Sequence, residues 1–288
     1  MDNGAVESAT TRARSSFFTA RLRAVKPGVI IGAVVIIGFM VVGHLVQLPY
    51  SPTAPNVDAI LKPPSGAHWF GTDSSGFDIL SRTLTAPQRD LPLSLLGTLL
   101  SLVVGVPLGL VASGNTRVAE LLMRGLDVFQ AFPLVIIAIA IVTLTGNHIQ
   151  NIVYAIALIN VPRFMRLIRS EALTLRKSRF VEAAIATGCS PARLLFRHLL
   201  PNVAGVILVQ ASLAAAYAVI VIASLNFLGI GVSPPTATWG SMIQSGAQDI
   251  SAGQWWVSAF PGAALFIAVL AFNAIANSLQ HDLEGARG

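Results

Sequence analysis

The residues with the most to say about mechanism lie between Ser178 and Pro201. Ser178 can cap a short helix that runs through Glu182, Ala183 and Ala184, and Gly188 can take the left-handed position that ends it. Ser190 is then a second cap and Pro191 suits the first position of a second short helix, expected to reach Leu200-Pro201. Apolar side chains fall on one face, and Arg176, Arg179, Arg193 and Arg197 on the other. Two short helices meeting at a sharp turn can transmit force; they do no bond-making chemistry. Nor does the rest of the chain. His44, His68, His148, His198 and His281 are scattered, Cys189 is the single cysteine, and none of these has a metal-ligand spacing. None of Lys26, Lys62 and Lys177 follows a glycine, so the phosphate-binding G-x-x-x-x-G-K-[ST] loop is missing. No catalytic residue, bound metal or bound cofactor is assigned, and the chain cannot hydrolyse ATP by that route on its own.

The elements that must carry this loop are membrane helices. Of 288 residues 54% are hydrophobic and 11% charged, with a mean hydropathy of +0.71, where a soluble domain has about 25% charged residues. A span needs about 20 mostly apolar residues, and six segments qualify: 28–48, 91–112, 125–145, 149–168, 202–228 and 257–279. The first is too long for a signal peptide, and only Leu48-Pro49-Tyr50 follows it, so it reads as a retained helix. With the N-terminus inside, sixteen of the nineteen Lys and Arg residues fall on the cytoplasmic side, and only Lys62, Arg82 and Arg89 outside. The expected fold is an all-α integral membrane protein of about six transmembrane helices with both termini cytoplasmic. The divisions are a cytoplasmic tail 1–27, a first helix 28–48, an external segment 49–90, a core 91–280 and a cytoplasmic tail 281–288. The core includes an inner loop 169–201 and an outer loop 229–256. The net charge of +6 then faces the anionic inner leaflet, which argues against nucleic acid as the partner.

Within the spans, Pro92, Pro107, Pro133 and Pro162 can kink their helices, and Gly105-x-x-x-Gly109 allows close helix approach. Arg124 and Asp127 are spaced to pair on one helix face. Trp239, Trp255 and Trp256 fit an interfacial belt. Charge is almost absent from the spans, unlike ion-coupled carriers, which favours energy supplied from outside the membrane. Polar residues that can line a path are Asn160, Gln210, Ser212, Tyr217, Ser224 and Asn226, each equally able to satisfy a neighbouring helix.

Glu182-Ala-Ala-x-x-x-Gly188, with Leu200-Pro201 twelve positions on, resembles the signature loop of permeases of binding-protein-dependent ABC importers. Further segments resemble the peptide and nickel branch, second-permease type: Phe70-Gly71-Thr72-Asp73-x-x-Gly76-x-Asp78, Gly105-Val-Pro-Leu-Gly-Leu110, Ala131-Phe-Pro133, Asn226-Phe-Leu-Gly229-x-Gly231, and Trp239-Gly240. Together they cover about residues 68–280. The resemblance implies a type I ABC importer permease. Its partners would be a second homologous permease, two cytoplasmic ATPase domains that hold ATP and Mg, an extracytoplasmic substrate-binding protein, and lipid. Glu182, Ala183, Ala184, Gly188, Pro191, Leu200 and Pro201 would form the ATPase-coupling loop. Trp69, Phe70, Asp73 and Phe77, on a segment too long for a mere connector, are candidate contacts for the binding protein. The expected cargo is a di- or oligopeptide, with a nickel or other metal complex as the alternative and a self-sufficient secondary carrier as the remaining one. Two departures from the branch pattern, Phe77 in place of Arg and the stretch Ala86-Pro87-Gln88-Arg89-Asp90, lie on the outer side and bear on docking and substrate choice.

Overall fold

The structure is a computed structural model and describes residues 27–45, 47–146, 148–232 and 235–285. The basic N-terminal tail and Arg287 lie outside the described residues. The helices are α1 (Pro27–Leu45), α2 (Ile79–Thr85), α3 (Pro87–Ala112), α4 (Arg117–Gln130), α5 (Leu134–Thr145), α6 (Ile149–Arg176), α7 (Arg179–Ala186), α8 (Pro191–Phe227), α9 (Trp239–Asp249) and α10 (Trp256–Gly285). Five runs are long and apolar enough to cross a membrane: α1, α2–α3 together, α6, α8 and α10. A sixth crossing needs α4 and α5 combined, and these are bent by 83°.

That bend corrects the continuous span expected over 125–145. Pro133 sits at the N-cap of α5 in extended conformation (φ −61°, ψ 111°). A proline also disfavours helical geometry in the residue before it, here Phe132, so α4 stops and α5 restarts in a new direction. The other boundaries shift outward: α6 runs on to Arg176, α10 continues through residues 281–285 of the expected tail, and α2 and the start of α3 take residues 79–90 from the expected external segment.

Helices α3 and α6 run parallel in close contact. A Cβ on Gly105 would come within 2.7 Å of the Phe164 Cβ, and one on Gly109 within 2.7 Å of the Met165 carbonyl oxygen. Only glycine permits that approach. α1 lies antiparallel on α10 and leaves Ile30, Val34, Ile37 and Val41 exposed, as a lipid-facing helix should. One end of the bundle gathers the basic residues: the Arg169 Nε donates to the Ala112 carbonyl (3.0 Å) and the Arg176 Nε to the Ser113 Oγ (3.1 Å), capping the C-terminus of α3 where its dipole favours cations. By the charge rule this is the cytoplasmic end.

The opposite end is covered by residues 47–78 and α9. Trp239 is fully buried: its backbone N–H donates to the Asp90 Oδ2 (2.9 Å), its Nε1 to the Thr83 carbonyl (3.1 Å), and its ring meets Phe39 edge-on at 5.5 Å. Trp256 is also buried and donates to the Thr72 carbonyl (3.3 Å). Only Trp255 is exposed, so the interfacial belt expected of the three tryptophans reduces to one. The apolar pattern of the loop could not separate a belt from a core, since both call for aromatic residues.

Candidate coupling loop and translocation face

The inner loop forms much as its sequence requires. α7 ends in a full left-handed cap: Gly188 has φ +79°, its N–H donates to the Ile185 carbonyl (2.9 Å), and the Cys189 N–H reaches back to Ala184 (3.0 Å). Ser190 caps the next helix by accepting from the Arg193 N–H (3.4 Å), with Pro191 at the first turn. Ser178 occupies the N-cap of α7, but its hydroxyl donates back to the Leu175 carbonyl (2.5 Å) and does not cap. The second short helix expected to stop at Leu200-Pro201 does not stop. Leu194–Leu199 is a π-helical stretch, and the chain passes through it into the long α-helix without a break. Pro201 explains the wider turn: it has no N–H to donate, and in a regular helix its ring would meet the Arg197 carbonyl. The Asn202 side chain donates to the His198 carbonyl (2.6 Å) beside it.

Val181, Leu194 and Leu199 are buried against Phe164, Ile168 and Ala172, which pins the loop to the inner ends of α3 and α6. Glu182, Ala183, Gly188, Pro191 and Pro201 are exposed, and Ala184 and Leu200 are half-buried. Phe180, Ile185 and Phe196 are exposed as well, so apolar side chains do not all turn inward as the facial pattern suggested. A Cβ on Gly188 would have nothing within 4 Å, so the glycine answers to backbone conformation and not to crowding.

The expected Arg124–Asp127 pair is not formed. Asp127 accepts from the Arg166 Nη2 at 2.6 Å, joining α4 to α6 across a mostly exposed surface. A long-range partner outcompetes the one on the same helix because α6 continues as helix far enough to bring Arg166 alongside.

The polar residues singled out for a path divide. Asn226 is buried, and its Oδ1 accepts from the Val232 N–H (3.1 Å), which fixes the turn after α8. Ser212 and Ser224 donate to carbonyls one turn back, Leu208 (3.1 Å) and Ile220 (2.8 Å). Gln210 lines a small cleft with Gln280 and Glu284 near the cytoplasmic end. Tyr217 carries the Arg163 guanidinium 3.7 Å above its ring, and the Arg163 Nη1 donates to the fully buried Asn160 (3.4 Å). Arg163 was missed because its charge was sorted to the cytoplasmic side with the edge of the inner loop, although the expected span 149–168 contained it. With α6 continuous, it falls at mid-helix. The expectation of nearly charge-free spans is corrected accordingly, by Arg163 in α6 and Asp90 in α3.

On the outer side, Trp69 is exposed and Phe77 half-buried under the Arg82 guanidinium (4.2 Å), whose Nη1 also reaches the carbonyls of Pro52 and Pro235. Phe70 turns inward and stacks on Phe260 at 4.0 Å. Asp73 is buried, its Oδ1 accepting from the N–H groups of Ser75 and Phe77 (both 2.9 Å); desolvation raises its pKa, opposed by those hydrogen bonds and by Arg82. His68 and Asp78 pair at 3.0 Å beneath Tyr50, which stacks on His68. Of the two departures from the family pattern, Ala86 and Asp90 are buried in the helical core and offer no docking surface.

Residues 102–285 match the model of the binding-protein-dependent transport system inner membrane component. The chain is 37% identical over 260 residues to a dipeptide transport system permease protein of Alkalihalophilus pseudofirmus, covering 88% of this chain and 84% of that one. It is 37% identical over 228 residues to a glutathione transport system permease protein of Pectobacterium atrosepticum (79% and 75% covered), and 36% identical over 243 residues to a di/tripeptide transport system permease protein of Pseudomonas aeruginosa (82% and 80%). The chain therefore belongs to the inner membrane permeases of binding-protein-dependent transport systems. It is a multi-pass, all-helical component of such a system in a bacterial inner membrane.

Proposed function

We propose that this chain is one permease subunit of an ATP-driven peptide importer. With a second homologous permease it forms the path, two cytoplasmic ATPase domains seat on the inner loop, and a soluble binding protein delivers cargo to the outer cap. ATP and Mg act on the ATPase subunits, and this chain performs no catalysis itself. The observation that carries the reading is the exposed edge of the inner loop. Phe180, Glu182 and Ile185 of α7 and Phe196 at the start of α8 are exposed, and the two elements are anchored in the bundle by Val181 and Leu194. A charged group and exposed aromatic and aliphatic side chains on one loop, anchored on membrane helices, suit a short helix seated in a partner's groove. Movement of that partner reaches α6 and α8 together, since both are packed against the loop.

The relatives named for dipeptides, di/tripeptides and glutathione favour a peptide over a nickel complex. Reconstitution of the complete complex with radiolabelled di- and oligopeptides tests this. Peptide accumulation that requires ATP and the binding protein is the expected result. Uptake of nickel complexes without peptides would overturn the cargo, and uptake by this chain alone would overturn the subunit role.

A further inference from the structure

α6 holds a cation deep in its span. Arg163 sits midway along Ile149–Arg176. Gly97, Gly105 and Gly109 of α3 meet Ile156, Phe164 and Ile168 of α6 in constant register, which sets Arg163 beside Val104. That is about eight residues, roughly 12 Å of helix rise, short of the inner end of α3. A guanidinium at that depth is costly, and a counter-charge, hydrogen-bond acceptors or an aromatic face lowers that cost. The ion pairs among the described residues are Arg166–Asp127, His68–Asp78 and His281–Glu284, and none of them neutralises Arg163.

Beside the group lies one further donor without a partner. One Arg163 N–H is given to the Asn160 Oδ1, and the Asn160 Nδ2, itself buried, has no acceptor. Tyr217 covers one face of the guanidinium plane at 3.7 Å. Stacking uses the face and leaves the N–H edge for hydrogen bonds. Tyr217 shares a stripe of α8, at seven-residue spacing, with Gln210 and Ser224, and the neighbours Leu213, Ile220 and Phe227 on that stripe are exposed. The cation thus borders a face of the bundle that no helix among the described residues covers.

The geometry points to Arg163, supported by Asn160 and Tyr217, as an anion station on the translocation face that takes the C-terminal carboxylate of a passing peptide. The assignment rests on the peptide-importer reading. A carboxylate is planar, carries one charge and matches the guanidinium edge with two parallel hydrogen bonds. Every linear peptide has one whatever its side chains, so such a station serves cargo of varied sequence. Stacking on Tyr217 stabilises the charge between passages, so the site need not be filled for the span to hold it.

The test uses the complete complex in proteoliposomes. Import of a tripeptide and of its C-terminal amide is measured, each supplied on saturating binding protein, for the wild-type chain, Arg163→Gln and Arg163→Lys. The expected result is at least a tenfold loss of acid import in Arg163→Gln and a smaller loss in Arg163→Lys. The amide is expected to enter at one low rate in all three, with membrane abundance unchanged. Equal import of the acid by Arg163→Gln and wild type would overturn the station, leaving lipid phosphate as the counter-charge. Equal fractional loss of acid and amide would overturn it in favour of a packing role. Loss of abundance in both variants would overturn it in favour of a pair with the second permease. A wild-type complex that imports no peptide sinks the peptide reading, and the station with it, before any variant is compared.

Discussion

The two ends of this membrane bundle are built on opposite principles. The outer cap is sewn into the core by specific bonds that cross long stretches of sequence. Trp239 ties α9 to Thr83 and Asp90, Trp256 donates to Thr72, and Phe70 stacks on Phe260. The inner loop is held by a few apolar anchors, Val181, Leu194 and Leu199, and turns Phe180, Glu182, Ile185 and Phe196 outward. The cap completes itself, whereas the loop presents unpartnered side chains on a defined scaffold. A surface tied to the core by many long-range contacts resists change for reasons of folding. A surface whose backbone alone is fixed is free to be read by another protein.

Substitutions at four positions can break or sharpen that contrast, and their expected effects on stability fall from the cap to the loop. Trp239→Ala should be the largest, about 3–5 kcal/mol for removing a buried aromatic, together with the Nε1 hydrogen bond to Thr83. A detergent-solubilised chain should show a clearly lowered unfolding temperature, and an unchanged one would mean the cap is not knit to the core through this residue. Asp73→Leu should follow, at about 1 kcal/mol for the loss of two part-buried hydrogen bonds to the Ser75 and Phe77 N–H groups. Asp73→Asn keeps the acceptor and should cost far less, because burial already disfavours the charge. By the same sign, the folded state holds this proton more tightly than the unfolded one, so the residue's contribution to stability falls as pH rises from the ordinary Asp value through the raised one. Equal costs for Leu and Asn would show that the charge facing Arg82 is what matters.

At the loop the ranking of stability and function inverts. Gly188→Val forces a β-branched residue to positive φ, costing roughly 1 kcal/mol or more locally, too little to unfold the bundle. Membrane abundance should be normal and peptide uptake lost, and normal uptake would remove the need for a left-handed cap. Glu182→Lys should change stability by no more than about 0.5 kcal/mol, as expected for an exposed site. It should nonetheless reduce co-purification of the ATPase subunits or uncouple hydrolysis from import. Wild-type association and uptake would leave Glu182 an ordinary solvated residue.

The sequence carried the local decisions. Five of the six spans, their expected orientation and the cap at Gly188 depend on composition within one helix length, on the distribution of Lys and Arg, and on a residue type that tolerates φ +79°. The order of the loop, from Ser178 to Pro191, was legible for the same reason. The tertiary structure decided what depends on distant neighbours. Asp127 had a suitable partner in Arg124, yet the fold supplies Arg166. Trp239 reads equally as a lipid-interface or core residue, and only packing against Phe39, Thr83 and Asp90 settles it. Phe70 and Asp73, residues of types suited to contact, are used up inside the cap. Arg163 lay within the expected span 149–168, but its depth was set only by the continuation of the helix to Arg176 and by the glycines of α3. Periodicity and composition act over a few residues, whereas partner choice and depth are set by which helices lie side by side.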